Sequence, residues 1–213
     1  MSLIAAHVRD FPHSALAEFA AHAPWALTDA AGAVVQRLLG RLDGAYRVSG
    51  SVAVHATATI ESGATLKGPV VVGPGCFVAA GAYLRGGAWL EADCVVGPGA
   101  ELKSSFVLAG TTLAHFNFVG DSIVGQGVNL EAGAIIANCR NEWPGAPVAF
   151  IHEGERIETG LVKFGALVGD RVRIGANAVV APGAILPAGT VVPRLALVDR
   201  GVAPGRPGEA GPA

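Results

Sequence analysis

The sequence predicts an all-β fold: a three-sided parallel solenoid with a short helical lead-in and one hairpin insertion. Three observations predict it. Every sixth residue from 48 to 108 is aliphatic (Val48, Val54, Ile60, Leu66, Val72, Val78, Leu84, Leu90, Val96, Leu102, Leu108). The same phase returns late in the chain as Val162, Val168, Ile174, Val180, Leu186 and Val192. A small side chain follows four residues after most of the early positions (Ala58, Ala64, Cys76, Ala82, Ala88, Cys94, Ala100), often with Gly or Pro-Gly between, as in VGPGCF and VGPGAE. Each hexad therefore reads as a short strand and a turn. Three hexads make a triangular coil whose aliphatic residues point into a narrow prism and whose small residues fit where the wall bends. Successive coils stack as parallel strands hydrogen-bonded along the prism axis.

The elements follow in order. Residues 1–45 have helical spacing (Ala26, Leu27, Ala30, Val34, Leu38, Leu42) with starts at Ser14 and Pro24, which predicts two short helices. They are expected to cap the open first coil, whose apolar cross-section and strand edge would otherwise face water. Residues 46–200 form the solenoid. Between its two regular runs the anchors fall at Phe118, Val124, Leu130 and Ile136; the step from Leu108 to Phe118 is two residues short, and His115 lies in the shortened part. Residues 139–161 abandon the hexad, and VAFIHEGERIET within them reads as a β-hairpin around His152-Glu153-Gly154, thrown out from one corner to wall a cleft. The Gly/Pro/Ala-rich stretch 201–213 is expected to be disordered.

Composition narrows the function. With 51% apolar residues the chain can bury a sizeable core, and a formal charge of -2 supplies neither a basic field for nucleic acid nor a cationic face for a membrane. No window approaches 18 strongly apolar residues, and the first 25 residues do not read as a signal peptide. A cytoplasmic location is expected. Cys76, Cys94 and Cys139 form no CxxC pair, so neither a zinc site nor a disulfide framework is indicated. Cys76 and Cys94 lie one coil apart in slots that Ala fills elsewhere, which favours a packing role over a redox pair. Arg85 and Lys103 are also one coil apart. Two such cations, about 5 Å from each other at strand spacing, call for an anion between or beside them, and phosphate is a suitable one.

The repeat is similar to the left-handed parallel β-helix of hexapeptide-repeat proteins; the handedness comes from that resemblance. The residues further resemble the acetyltransferase half of the bifunctional enzymes that make UDP-N-acetylglucosamine, over about residues 60–195. Arg85 in LRGGA, Lys103 in ELK, His115 in HFNFVGD, Asn129 in GVNLEAG and Asn138 in AN keep both type and spacing, and Lys163 in KFGALVGD follows the hairpin. HFNFVGDS, ANCRN, the hairpin and FPHSALAEF resemble the archaeal-type sugar-1-phosphate nucleotidyltransferase branch that carries this β-helix.

The resemblance implies an N-acetyltransferase that moves an acetyl group from acetyl-CoA to an amino-sugar phosphate of the glucosamine-1-phosphate kind, with no metal. His115 would be the general base, because a neutral imidazole is suited to taking the proton of an attacking amine. The backbone N–H of Ala132 would hold the oxyanion. Arg85, Lys103 and Lys163 would hold the sugar phosphate, and Asn129 would orient the sugar. Asn138 and Ala188 would line the coenzyme groove with Cys139 and Ala176. Phe118 stands where the family has Tyr, Cys139 where an aromatic is common, and Ala176 where it has Ser, departures that bear on the identity of the acceptor more than on the acetyl donor. A homotrimer with sites between subunits is implied. No Gly-rich nucleotidyltransferase segment is present, so the sequence is not expected to make the sugar nucleotide. Two other readings remain: a non-catalytic module that binds sugar phosphates or sugar nucleotides or holds a separate nucleotidyltransferase, and a β-helical carbonic anhydrase. The second needs three histidines on one zinc, and His7, His13, His22, His55, His115 and His152 show no such cluster.

Overall fold

A computed structural model describes residues 2–203, and the last ten residues of the expected disordered tail lie outside it. The body is a parallel β-solenoid of three faces. Face A carries Val52–His55, Val70–Val72, Ala88–Leu90, Phe106–Val107, Ile123–Val124, Ala166–Val168 and Ala184–Leu186. Face B runs from Thr59–Ile60 through Phe77–Val78, Val95–Val96, Thr112–Leu113, Asn129–Leu130 and Arg173–Ile174 to Val191–Val192. Face C runs from Thr65–Lys67 through Tyr83–Arg85, Glu101–Lys103, Phe118–Gly120, Ile135–Ile136 and Val179–Val180 to Leu197–Val198.

The prism core is a continuous stack of Val, Leu and Ile with Ala and Cys at the bends. Complete burial of each aliphatic side chain is worth about 1.5–3 kcal/mol, so the ladder of inward residues is the main source of stability. Strand pairing sets the register more finely than the hexad does. Leu84 pairs with Leu102 at 18 residues. Leu90 pairs with Val107, Leu102 with Val119, Leu113 with Leu130, and Val119 with Ile136, all at 17. One residue is missing between Leu102 and Val107 and another between Val119 and Val124, both at the corner from face C to face A. The shortening therefore does not fall at His115. Leu108 and Phe118, read as inward anchors, are outside the prism: Leu108 packs under the N-terminal segment and Phe118 stands on the outer side of face C. Val48 and Val162 keep the phase by sequence alone. The first lies exposed on an added antiparallel strand, Tyr46–Ser49, and the second is exposed in the chain returning from the hairpin.

The helical lead-in consists of Leu3–His7, Pro24–Asp29 and Ala31–Leu39 with two 3-10 turns at Phe11–His13 and Ala17–Phe19. It lies along the outside of face A and does not cover the first coil's end. The reason is that face A is apolar on both sides: Val71, Trp89, Phe106, Ile123 and Leu167 point outward and are buried by Ile4, Phe11, Leu27, Val35 and Leu38. Strands buried on two faces read as continuous apolar runs, as VVV and AWL do here. Gly87 (φ +93°) lets the helix approach, since a Cβ there would stand 2.4 Å from the Ala31 carbonyl carbon and the Gly32 nitrogen. Asp170 ties the segment down: it accepts the Arg9 N–H (2.9 Å), and its own N–H donates to the His7 carbonyl (3.1 Å). The first coil's face A edge is covered by Tyr46–Ser49.

The insertion leaves and rejoins at the face C to face A corner, between Ile136 and Ala166. Its hairpin pairs Ala149–His152 with Glu155–Glu158 through Glu153 and Gly154, both left-handed (φ +51° and +85°). It folds back on the body, where Phe150 and Phe164 are fully buried against Trp25. Arg140 clamps this packing through Asp199 and Glu142, and its guanidinium also donates to the Pro182 carbonyl (3.1 Å). Gly201 forms an antiparallel bridge with Phe150.

Candidate functional site

The corner from face B to face C repeats a three-residue motif. The coils read Ser62-Gly63-Ala64, Ala80-Gly81-Ala82, Pro98-Gly99-Ala100, His115-Phe116-Asn117, Ala132-Gly133-Ala134, Ala176-Asn177-Ala178 and Arg194-Leu195-Ala196. The middle residue is left-handed in every coil, which glycine adopts freely and bulky residues do not. Only at 115–117 are both the middle and the small inward slot replaced. Phe116 takes φ +51°, and Asn117 is buried, its Nδ2 donating to the carbonyls of Glu131 (2.8 Å) and Ala134 (3.1 Å) on the next coil. The Asn117 Oδ1 has no partner within the described residues. His115 is exposed, and its carbonyl accepts the Gly133 N–H (2.9 Å), so its backbone is fixed while the imidazole is free in solvent.

Ala132 lies one coil above His115. Its carbonyl accepts the Asn177 N–H (3.0 Å), and its own N–H makes no hydrogen bond among the described residues. Ala176, a further coil on, donates its N–H to Glu131 (2.9 Å), which also takes two bonds from Arg194 (2.8 Å each). The Ala176 amide and the Arg194 guanidinium hold the Glu131 carboxyl below the usual carboxylate range. Asn129 stands at the start of its face B strand, in a groove of about 240 Å³ bounded by Glu131, Arg173, Val191, Pro193 and Arg194.

Across face C, at its corner with face A, the cations gather. Lys67, Arg85 and Lys103 stand in register on successive coils. Arg85 bonds Glu101 (Nε to Oε1, 2.8 Å) and lies 5.7 Å from the Tyr83 ring centroid. The Lys103 ammonium donates to both oxygens of Asp121 (2.8 and 2.6 Å), and Asp121 also accepts the Asn138 amide. The repulsion expected between Arg85 and Lys103 is thus relieved by the chain's own carboxylates. Asn138 is buried as the third member of this cluster, with exposed Cys139 next to it. Lys163 is exposed, two residues before Gly165, whose N–H donates to the Asp121 carbonyl (2.9 Å). The Phe118 ring crosses face C between the two corners. A Cβ at Gly120 would come within 2.8 Å of both Phe118 Cζ and Asn138 Nδ2, so Gly120 makes room where they converge.

The sequence-derived residues therefore divide into two groups on one face. His115, Ala132 and Ala176 line one long corner, Arg85, Lys103, Asn138, Cys139 and Lys163 the other, with Phe118 between. The strand from Asn117 to Gly120 separates the corners by about 10 Å at roughly 3.3 Å per residue. Asn129 faces outward on face B, and Ala188 is exposed at the corner from face A to face B, apart from the rest. Sequence reading missed Glu101, Asp121 and Asn117. The arithmetic that stacked Arg85 on Lys103 also puts Asp121 18 residues beyond Lys103, and the Gly-Ala corner motif exposes Asn117 as an exception.

Cys76 and Cys94 are buried in the prism core with free thiols, and the Cys76 thiol donates to the Glu91 carbonyl (2.7 Å). The Cys94 thiol, beside Cys76 and desolvated, is pushed up from the ordinary range. Among the described residues no group of three or more His, Cys, Asp or Glu is placed to hold a metal ion, and no helix is long and apolar enough to cross a membrane.

No protein-family model matches the chain. The chain is 32% identical over 178 residues to the bifunctional sugar-1-phosphate nucleotidylyltransferase/acetyltransferase of Sulfurisphaera tokodaii, spanning 84% of this chain and 43% of that protein. It is 32% identical over 107 residues to the bifunctional protein GlmU of Methanococcus vannielii, 50% of this chain and 25% of that protein. With GlmU of Methanococcus maripaludis (strain DSM 14266) it shares 27% over 169 residues, 79% of this chain and 40% of that protein. The chain thus spans less than half the length of these curated relatives. A solved hexapeptide transferase family protein from Anaplasma phagocytophilum superposes at a TM-score of 0.34 and 20% identity, over 68% of this chain and 72% of that one; so loose a superposition adds nothing to the fold.

Proposed function

We propose that this chain, a homologue of the bifunctional sugar-1-phosphate nucleotidylyltransferase/acetyltransferases, transfers the acetyl group of acetyl-CoA to the amine of an amino-sugar phosphate. One observation carries the reading: the exposed His115 and the Arg85, Lys103 and Lys163 cations occupy opposite corners of one open face. An amino-sugar phosphate has the matching polarity, with a nucleophile at one end and an anion at the other.

In this reading the sugar lies over Phe118, the amine toward His115 and the phosphate toward the cations. The imidazole takes a proton from the amine as it attacks the thioester carbon, and when the tetrahedral intermediate collapses the C–S bond breaks and the imidazolium returns that proton to the departing coenzyme A thiolate. The unpaired Ala132 N–H, one coil above His115, supports its role as donor to the developing oxyanion. Lys103 and Arg85 each keep a carboxylate partner, so they would bind phosphate as members of a charge network, and the exposed Lys163 adds a cation to it. Phe118 offers an apolar surface but no hydroxyl, which favours an acceptor held by its phosphate and ring face. Asn129, Asn138, Cys139, Ala176 and Ala188 extend along faces and corners that one chain does not bring together. Their joint use would require a homotrimer of prisms, each supplying one wall of a cleft.

Loss of thioester absorbance from acetyl-CoA, followed across glucosamine and galactosamine phosphates, tests this. Cleavage should require an acceptor bearing a free amine. No turnover with any of them, together with sugar-phosphate-dependent melting shifts that survive His115→Ala, would replace the enzyme by a binding module.

A further inference from the structure

Phe116 is the outlier of the solenoid wall. Its backbone slot is filled by Gly63, Gly81, Gly99 and Gly133 in four of the other coils, by Asn177 in a fifth and by Leu195 only in the last. A left-handed Phe is costly, and such strain persists where the surroundings hold it and often marks function. The peptide that precedes it is held on both sides: the Phe116 N–H donates to the Pro98 carbonyl (3.0 Å), and the His115 carbonyl accepts from Gly133 (2.9 Å). Asn117 pins the following residue to the next coil by two further bonds. The ring lies over Gly99, where a Cβ would stand 2.5 Å from Phe116 Cδ1. It is nonetheless 71% exposed, with little of its apolar surface used by the fold. The sequence thus spends a strained position, a bare glycine beneath it and a buried amide behind it on presenting one aromatic ring beside His115.

The neighbourhood says what the ring meets. The acceptor side of His115 is face C, which is charged and already floored by Phe118. The thioester carbon must approach within about 3–3.5 Å of the amine that His115 deprotonates, so the part of the acyl donor nearest to Phe116 is its thioester end, followed by the thin pantetheine arm. We propose that Phe116 is a donor-contacting residue, whose ring receives the pantetheine arm of acetyl-CoA next to the thioester and holds the reacting carbon against His115. This inference rests on acetyl-CoA being the donor, as read above.

Phe116→Gly separates this role from a structural one. Glycine suits the slot in four other coils, so the variant should melt at or above the wild-type temperature while losing the ring. Calorimetric titration with acetyl-CoA alone should show binding about tenfold or more weaker than wild type. In turnover the KM for acetyl-CoA should rise by a similar factor while that for the acceptor stays within about twofold. Phe116→Leu, which keeps an apolar side chain, should recover most of the affinity. Wild-type affinity for acetyl-CoA in Phe116→Gly would overturn the proposal, as would a rise confined to the acceptor's KM. A fall in oligomeric mass would make Phe116 a subunit contact instead and equally overturn it. If the wild-type chain binds no acetyl-CoA, the donor assignment fails and this inference with it. If it binds acetyl-CoA but turns over no acceptor, only the acceptor reading fails, and the binding comparison still decides the role of Phe116.

Discussion

Replacing Asp121 with alanine removes the carboxylate that satisfies both the Lys103 ammonium and the Asn138 amide. Neither is readily rescued by water, since the Lys103 side chain is 15% exposed and Asn138 is 8% exposed. Breaking a mostly buried ion pair by deleting one partner costs about 3–5 kcal/mol, chiefly because the remaining charge stays desolvated. For a chain of this size 1 kcal/mol corresponds to roughly 2–4 °C in Tm, so Asp121→Ala should melt about 6–20 °C below wild type. The double variant Lys103→Met/Asp121→Asn removes both charges and leaves an amide oxygen to accept from Asn138. It should regain most of that loss while raising the KM for the sugar phosphate. Differential scanning calorimetry of the three proteins decides. A drop below about 2 °C for Asp121→Ala, or a double variant no more stable than the single one, would refute the reasoning that this corner is held by a desolvated charge pair.

Other predictions follow from neighbouring features. Gly97→Ala would place a Cβ 1.6 Å from the Ala114 carbonyl oxygen, a backbone clash that no rotamer relieves, and should prevent accumulation of folded protein, read by soluble yield and circular dichroism. Arg140 holds the Asp199 carboxyl below its ordinary range, as the Ala176 amide and Arg194 do for Glu131. For carboxyls depressed in the folded state the stabilisation is present above the unfolded pKa, near 4, and is lost as pH falls through the folded value. Melting temperature should therefore fall below about pH 4, and Asp199→Asn/Glu131→Gln should flatten that acid limb; an unchanged limb counts against both pairings. Finally, an aromatic disulfide reagent should react quickly with the exposed Cys139 and with buried Cys76 and Cys94 only after denaturation, so that more than one fast thiol per native chain contradicts the packed prism.

How much of this was legible in the sequence depends on what each residue answers to. Inward residues such as Leu84, Leu102 and Val180 answer to a single physical demand, a narrow apolar prism, and hexad spacing reads them directly. The corners are harder. Single-residue deletions after Leu102 and Val119 cost the solenoid little, because a turn absorbs them, but they shift every later anchor by one. That shift made Leu108 and Phe118 look inward. The lead-in was legible as helix from Pro24 on, where Leu27, Val34 and Leu38 are buried, whereas the helix expected from Ser14 is only a 3-10 turn at Ala17–Phe19. Its location was not, since only the paired strands show that Val71, Trp89 and Phe106 all point outward and need a cover. At the candidate site, spacing put Arg85 and Lys103 side by side, but period alone could not tell that Glu101 and Asp121 would neutralise them. The distinction of Phe116 emerged only from the backbone, where a left-handed slot meant for glycine holds an aromatic ring.

The central claim, acetyl transfer with His115 as general base, is tested most directly by kcat with acetyl-CoA and an amino-sugar phosphate for wild type and His115→Ala. Binding of acetyl-CoA is measured on the same samples. Loss of a general base should lower kcat by about 10²–10⁴-fold, with acetyl-CoA affinity and melting temperature unchanged because the imidazole makes no hydrogen bond among the described residues. A His115→Ala protein whose kcat stays within tenfold of wild type would contradict the account.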